Sequence, residues 1–96
     1  MTNNELRELL TKRAGQADEM LALIKGRPHH NRMFNETLRM ASRELKEAAE
    51  FWLDHLGEPG IDEEGIKDHL APRYDEFMRC RDRVVRDFAE MDEADA

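Results

Sequence analysis

Residues 34–56 constrain the fold of this chain more than any other stretch. Phe34, Leu38, Ala41, Leu45, Ala48, Trp52 and Leu56 recur at steps of four, three, four, three, four and four. Only a helix brings residues at that spacing to one side, and the pattern is close to a heptad seam. The apolar surface is wider than a seam. Met33, Met40 and Phe51 fall about 100° to one side of it, at about 100° per residue, and Ala49 and Leu53 widen the other side. A helix with one neighbour has no use for so broad a face. This one is expected to be central, held between two neighbours or between one neighbour and a second subunit.

The flanking sequence supplies the neighbours. Leu6, Leu10, Ala14, Ala17, Met20, Leu21 and Ile24 share a face of a first helix over about 3–25, with Asn3 or Asn4 as cap. Gly26 closes that helix and Pro28 opens the next, over about 28–56. So short a connection predicts an antiparallel hairpin. The stretch "HLGEPGIDEEGIKDHLAP" then reads as a turn and a short helix. Gly57 and Pro59 stop helix two, and Asp62 caps a helix over about 62–70. Ile61 and Ile66 staple its start, and Glu63 and Glu64 favour the positive end of its dipole. Pro72 is expected to break the chain there and open a last helix over about 72–91. Its inner stripe is Tyr74, Phe77, Val84, Phe88 and Met91, and residues 92–96 are expected to fray. The predicted fold is a single all-α domain, a small antiparallel bundle of three long helices plus one short connecting helix. Scarce β-branched residues argue against a sheet.

Charge narrows function. The 96 residues carry a net charge of −7, unevenly spread. Residues 1–43 hold eight bases and five acids, residues 44–64 hold eight acids and Lys46, and residues 87–96 hold five acids and no base. Direct nucleic-acid binding is not expected, because phosphate attraction needs a cationic surface. The run Arg79, Arg81, Arg83, Arg86 does not change this, since Asp75, Glu76, Asp82 and Asp87 interleave with it. No apolar run approaches the roughly 20 residues that span a bilayer, so no membrane partner is expected. The N-terminus lacks a basic start followed by an apolar core, and the lone Cys80 has no disulfide partner within the chain. A cytoplasmic setting is the expectation.

Motifs for chemistry are thin. The acids at 58–64 lack the alternating ligands and closing glutamate of a calcium loop. His29, His30, His55 and His69 fall at no zinc spacing. Glu44, Glu47 and Glu50 form an ExxExxE series. A helical magnesium hydrolase needs a matching acidic pair on a neighbouring helix, and Asp75 and Glu76 are not followed by one. Cys80 falls inside the inner stripe, where a small buried side chain belongs. No catalytic, cofactor or metal residue is assigned.

What remains is binding. Arg13 and Arg81 project into apolar stripes, where each must reach solvent or meet a carboxylate; Glu44 is the candidate partner. The expected partner-binding residues are Met33, Met40, Phe51, Glu44, Glu47, Arg13 and Arg81. They point to a non-enzymatic protein–protein interaction module, a small acidic helical adaptor or regulator with a protein partner or as a homodimer. One alternative is a phage-type inhibitor whose acidic face mimics nucleic acid and blocks a host enzyme. A second is a metal-dependent helical hydrolase.

Overall fold

The computed structural model describes residues 1–27 and 31–94. They form three helices, α1 (Asn3–Gly26), α2 (Arg32–His55) and α3 (Glu63–Ala94), with no strand among the described residues. Thr2, and not Asn3 or Asn4, caps α1. Its hydroxyl accepts from the Glu5 amide at 3.2 Å, and Glu5 Oε1 accepts from the Thr2 amide at 3.1 Å. Thr-x-x-Glu is thus a reciprocal capping box that satisfies two otherwise orphaned donors. Asn31 caps α2 by accepting from the Phe34 amide at 3.2 Å. The expected start at Pro28 lies outside the described residues.

Between α2 and α3 the turn follows the sequence closely. Gly57 and Gly60 take positive φ of 94° and 87°, a region that a side chain disfavours. Asp62 Oδ1 accepts from the Gly65 amide at 2.8 Å, capping α3 as expected. The break at Pro72 does not occur. Segments 62–70 and 72–91 are one helix of 32 residues that runs through Pro72 and on to Ala94, so the bundle has no short connecting helix. Proline removes the amide that would reach the Asp68 carbonyl. One residue on, the Arg73 guanidinium donates to the His69 carbonyl at 2.8 Å and satisfies a neighbouring acceptor in that turn. Ile66, Leu70, Phe77, Cys80, Val84 and Phe88 are buried on both sides of the proline, so packing holds the two halves in one line. Near the end of α3, Asp92 pairs with Arg27 at 2.5 Å.

Two end-to-end contacts fix the topology. The Met1 ammonium lies 2.7 Å from Glu63 at the start of α3, and Arg27 meets Asp92 near its end. α1 and α3 are therefore parallel, with α2 antiparallel to both. Backbone approach is close between α1 and α2 and between α2 and α3, and sparse between α1 and α3. α2 is the middle element, as the width of its apolar face required. Leu38, Leu45, Ala49 and Ser42 are fully enclosed on it, and Phe77 is the largest fully buried side chain opposite. The result is a rod of 54 × 18 × 18 Å.

Candidate functional site

Packing uses the inner face of α2 and leaves its outer face uncovered. Met33, Met40 and Phe51 are 70%, 56% and 49% exposed. With Thr37, Glu44 and Glu47 between them they recur at steps of four and three, so one line of the helix carries them all. α3 does not cover this line. Scattered exposed apolar residues are ordinary, but three large ones aligned on a single helix are a patch.

The groove between α2 and α3 borders this line. His69, Arg73, Glu76, Cys80 and Arg83 recur at four, three, four and three along α3, and His69 and Arg73 line the groove. Trp52 Nε1 donates to His69 Nδ1 at 3.0 Å, which places the His69 proton on Nε2 and ties the two helices together. Phe51 stands edge-on to Trp52, with ring centroids 5.0 Å apart and an interplanar angle of 80°. A depression of about 410 Å³ opens here, lined by Glu44, Glu47, Ala48, Phe51, His69 and Arg73. Further along, the Arg83 guanidinium sits 5.4 Å over the Phe34 ring.

The arginines take partners other than those expected. Arg13 lies 3.8 Å over the Tyr74 ring and donates to Gln16 Oε1 at 2.9 Å. An aromatic face and an amide satisfy it, and in doing so they join α1 to α3. Arg81 approaches its neighbour Asp82 at 3.5 Å and is partly exposed. Among the described residues neither arginine pairs with Glu44. Arg73 lines the depression together with Glu44. Arg13 thus lies where α1 meets α3, and not on the line of α2 that carries Met33, Met40, Phe51, Glu44 and Glu47.

Opposite the α3 groove, between α1 and α2, Lys25, Arg32, Arg39 and Arg43 gather over Leu21 and Ile24, with Glu36 among them and paired to Arg39. This basic cluster spans two helices and is not evident from either segment alone. Lys46 also bridges the pair, meeting Asp18 at 2.8 Å, and that carboxylate raises its pKa.

Cys80 and His55 are each engaged within the fold. Burial, with the Glu76 carboxylate beside it, pushes the Cys80 thiol up, and Sγ donates to Glu76 Oε1 at 3.6 Å. A thiol so held is a poor nucleophile. His55 contacts Glu58 at 3.0 Å within its own turn. His29 and His30 lie outside the described residues. No three His, Cys, Asp or Glu side chains converge as a metal site among the described residues. Among the described residues no helix is long and apolar enough to cross a membrane.

The chain matches no family model, and no curated protein or solved structure is significantly similar to it.

Proposed function

We propose that this chain is a non-enzymatic protein–protein interaction module, a small acidic helical adaptor or regulator that binds through the outer face of α2. The observation that carries the reading is the exposure of Met33, Met40 and Phe51 in one line on a helix whose inner side is fully packed. Methionine suits such a role because its unbranched, polarisable side chain repacks against different surfaces. Glu44, Glu47 and Arg73 surround the apolar contacts with charge, as the rim of an interface does.

The test is a triple variant, Met33→Glu, Met40→Glu and Phe51→Glu. All three side chains are exposed, so the helical signal and melting temperature are expected to stay close to those of the parent. Binding to any protein retained by the parent chain is expected to be lost. A variant that keeps its partner at parental affinity would show that another surface does the binding.

The acidic stretch 44–64, at −7, favours a second reading, a phage-type inhibitor that imitates nucleic acid and occupies a basic cleft. That reading predicts partner binding that weakens steeply with salt and is lost in Glu44→Gln/Glu47→Gln/Glu50→Gln, while the apolar triple variant still binds.

A further inference from the structure

We infer that the occupant of the α2 outer face is a second copy of this chain, packed antiparallel about a two-fold axis level with residue 42. The inference rests on the reading that this face is the interaction surface, and it names the partner.

The line 33, 37, 40, 44, 47, 51 has steps of four, three, four, three and four, so it reads the same from either end. Two copies laid antiparallel place Met33 against the partner's Phe51, Thr37 against the partner's Glu47, and Met40 against the partner's Glu44. Sulfur against an aromatic ring is a favourable contact, and a two-fold axis makes it twice. Spacing alone would permit a parallel pair as well. Charge selects between them. Over residues 32–43, α2 carries Arg32, Arg39 and Arg43 against Glu36. Over residues 44–55 it carries Glu44, Glu47, Glu50 and Asp54 against Lys46. The first half is therefore net positive and the second net negative. A parallel pair sets like on like along the whole helix, whereas an antiparallel pair sets each half against its opposite. Helix dipoles favour the same orientation. Close to the axis, Arg43 of each copy comes within reach of the partner's Glu44, which offsets the cost of turning that carboxylate toward Met40.

The strip is small. The eighteen steps from residue 33 to residue 51 span about 27 Å of a helix about 10 Å across. The buried area falls below the roughly 1,200 Å² of a standard interface, so the dimer is weak and concentration-dependent.

Sedimentation equilibrium on the full chain, from ~10 µM to ~1 mM at low salt, is expected to show monomer passing to dimer. Charge reversal gives the orientation. Arg43→Glu and Glu44→Arg are each expected to weaken self-association by about ten-fold or more, and an equimolar mixture of the two to restore it as a heterodimer. Register is read in a Cys80→Ala background. Met33→Cys mixed with Phe51→Cys is expected to form an intermolecular disulfide, while Met33→Cys alone does not, since its two thiols lie about 27 Å apart. A chain that stays monomeric at ~1 mM overturns the proposal. So does a Met33→Cys chain that cross-links to itself as readily as to Phe51→Cys, or a charge-reversed mixture that fails to recover. If the chain is monomeric but the apolar triple variant loses a different protein, the interaction reading stands and the second-copy assignment falls. If the chain is monomeric and that binding is unchanged, both fall.

Discussion

Replacing Pro72 with alanine tests the continuity of α3. In a helix interior proline costs about 3 kcal/mol relative to alanine, through its missing donor and its ring's clash with the preceding turn. One effect reduces what the replacement recovers. Proline stiffens the unfolded chain, which stabilises the native state by about 0.4–1 kcal/mol. Pro72 is exposed, so the change forfeits no packing. The net expectation is a gain of about 2 kcal/mol, or a melting temperature higher by about 8–16 °C in a domain of this size. Thermal and urea melts of Pro72→Ala measure it, with an unchanged urea slope showing that the same surface is exposed on unfolding. A neutral or destabilising result would refute the reasoning. It is what a proline at the first position of a separate helix would give, because there its missing amide costs nothing.

Three further outcomes follow from the same structure. Ser42 is fully enclosed and its hydroxyl has no partner among the described residues, so Ser42→Ala is expected to stabilise the chain by about 1 kcal/mol, seen as a higher urea midpoint. The Met1 ammonium holds the Glu63 carboxyl below the ordinary glutamate value, and the Thr2 amide does the same for Glu5. A lowered folded pKa adds stability that is present above the unfolded value and lost as pH falls through the folded one. Glu63→Gln is therefore expected to be less stable than the parent at neutral pH and to lose less on acidification. Parallel loss in the two chains would contradict the pairing. Cys80 is buried with its thiol pKa raised, so a thiol-selective reagent at neutral pH is expected to label it slowly in the native state and rapidly in urea.

How far these features could be read from the chain depended on their range. The α2 stripe, the Asp62 cap and the Gly57 turn are local patterns, and local rules read them correctly. Pro72 misled because the rule applied there weighs only the steric bias against helical angles at the residue before a proline. Whether the helix continues is decided by Ile66, Leu70 and Phe77 packing against α2 from either side of it. Arg13 could be recognised as needing a partner, but Tyr74 is its partner only because α1 and α3 run parallel, which follows from the turn geometry and not from either helix. The same holds for Arg73, which lines the depression together with Glu44. Its shared heptad phase with His69 and Cys80 was available in the sequence, but its neighbour depends on how α3 is rotated against α2. Of the residues expected to bind, Met33, Met40, Phe51, Glu44 and Glu47 lie on one line of α2, while Arg13 joins α1 to α3 through Tyr74 and Arg81 approaches Asp82 on α3.

Residue-resolved amide hydrogen exchange tests most directly whether α2 is the spine from which an outer binding face follows. Amides of Leu38 to Ala49 are packed between both neighbours, so they are expected to open only with global unfolding, with the same free energy as the denaturant melt. Amides toward the ends of α1 and α3 are expected to open more readily. If the middle of α2 exchanges faster than the helices beside it, α2 is not held from two sides.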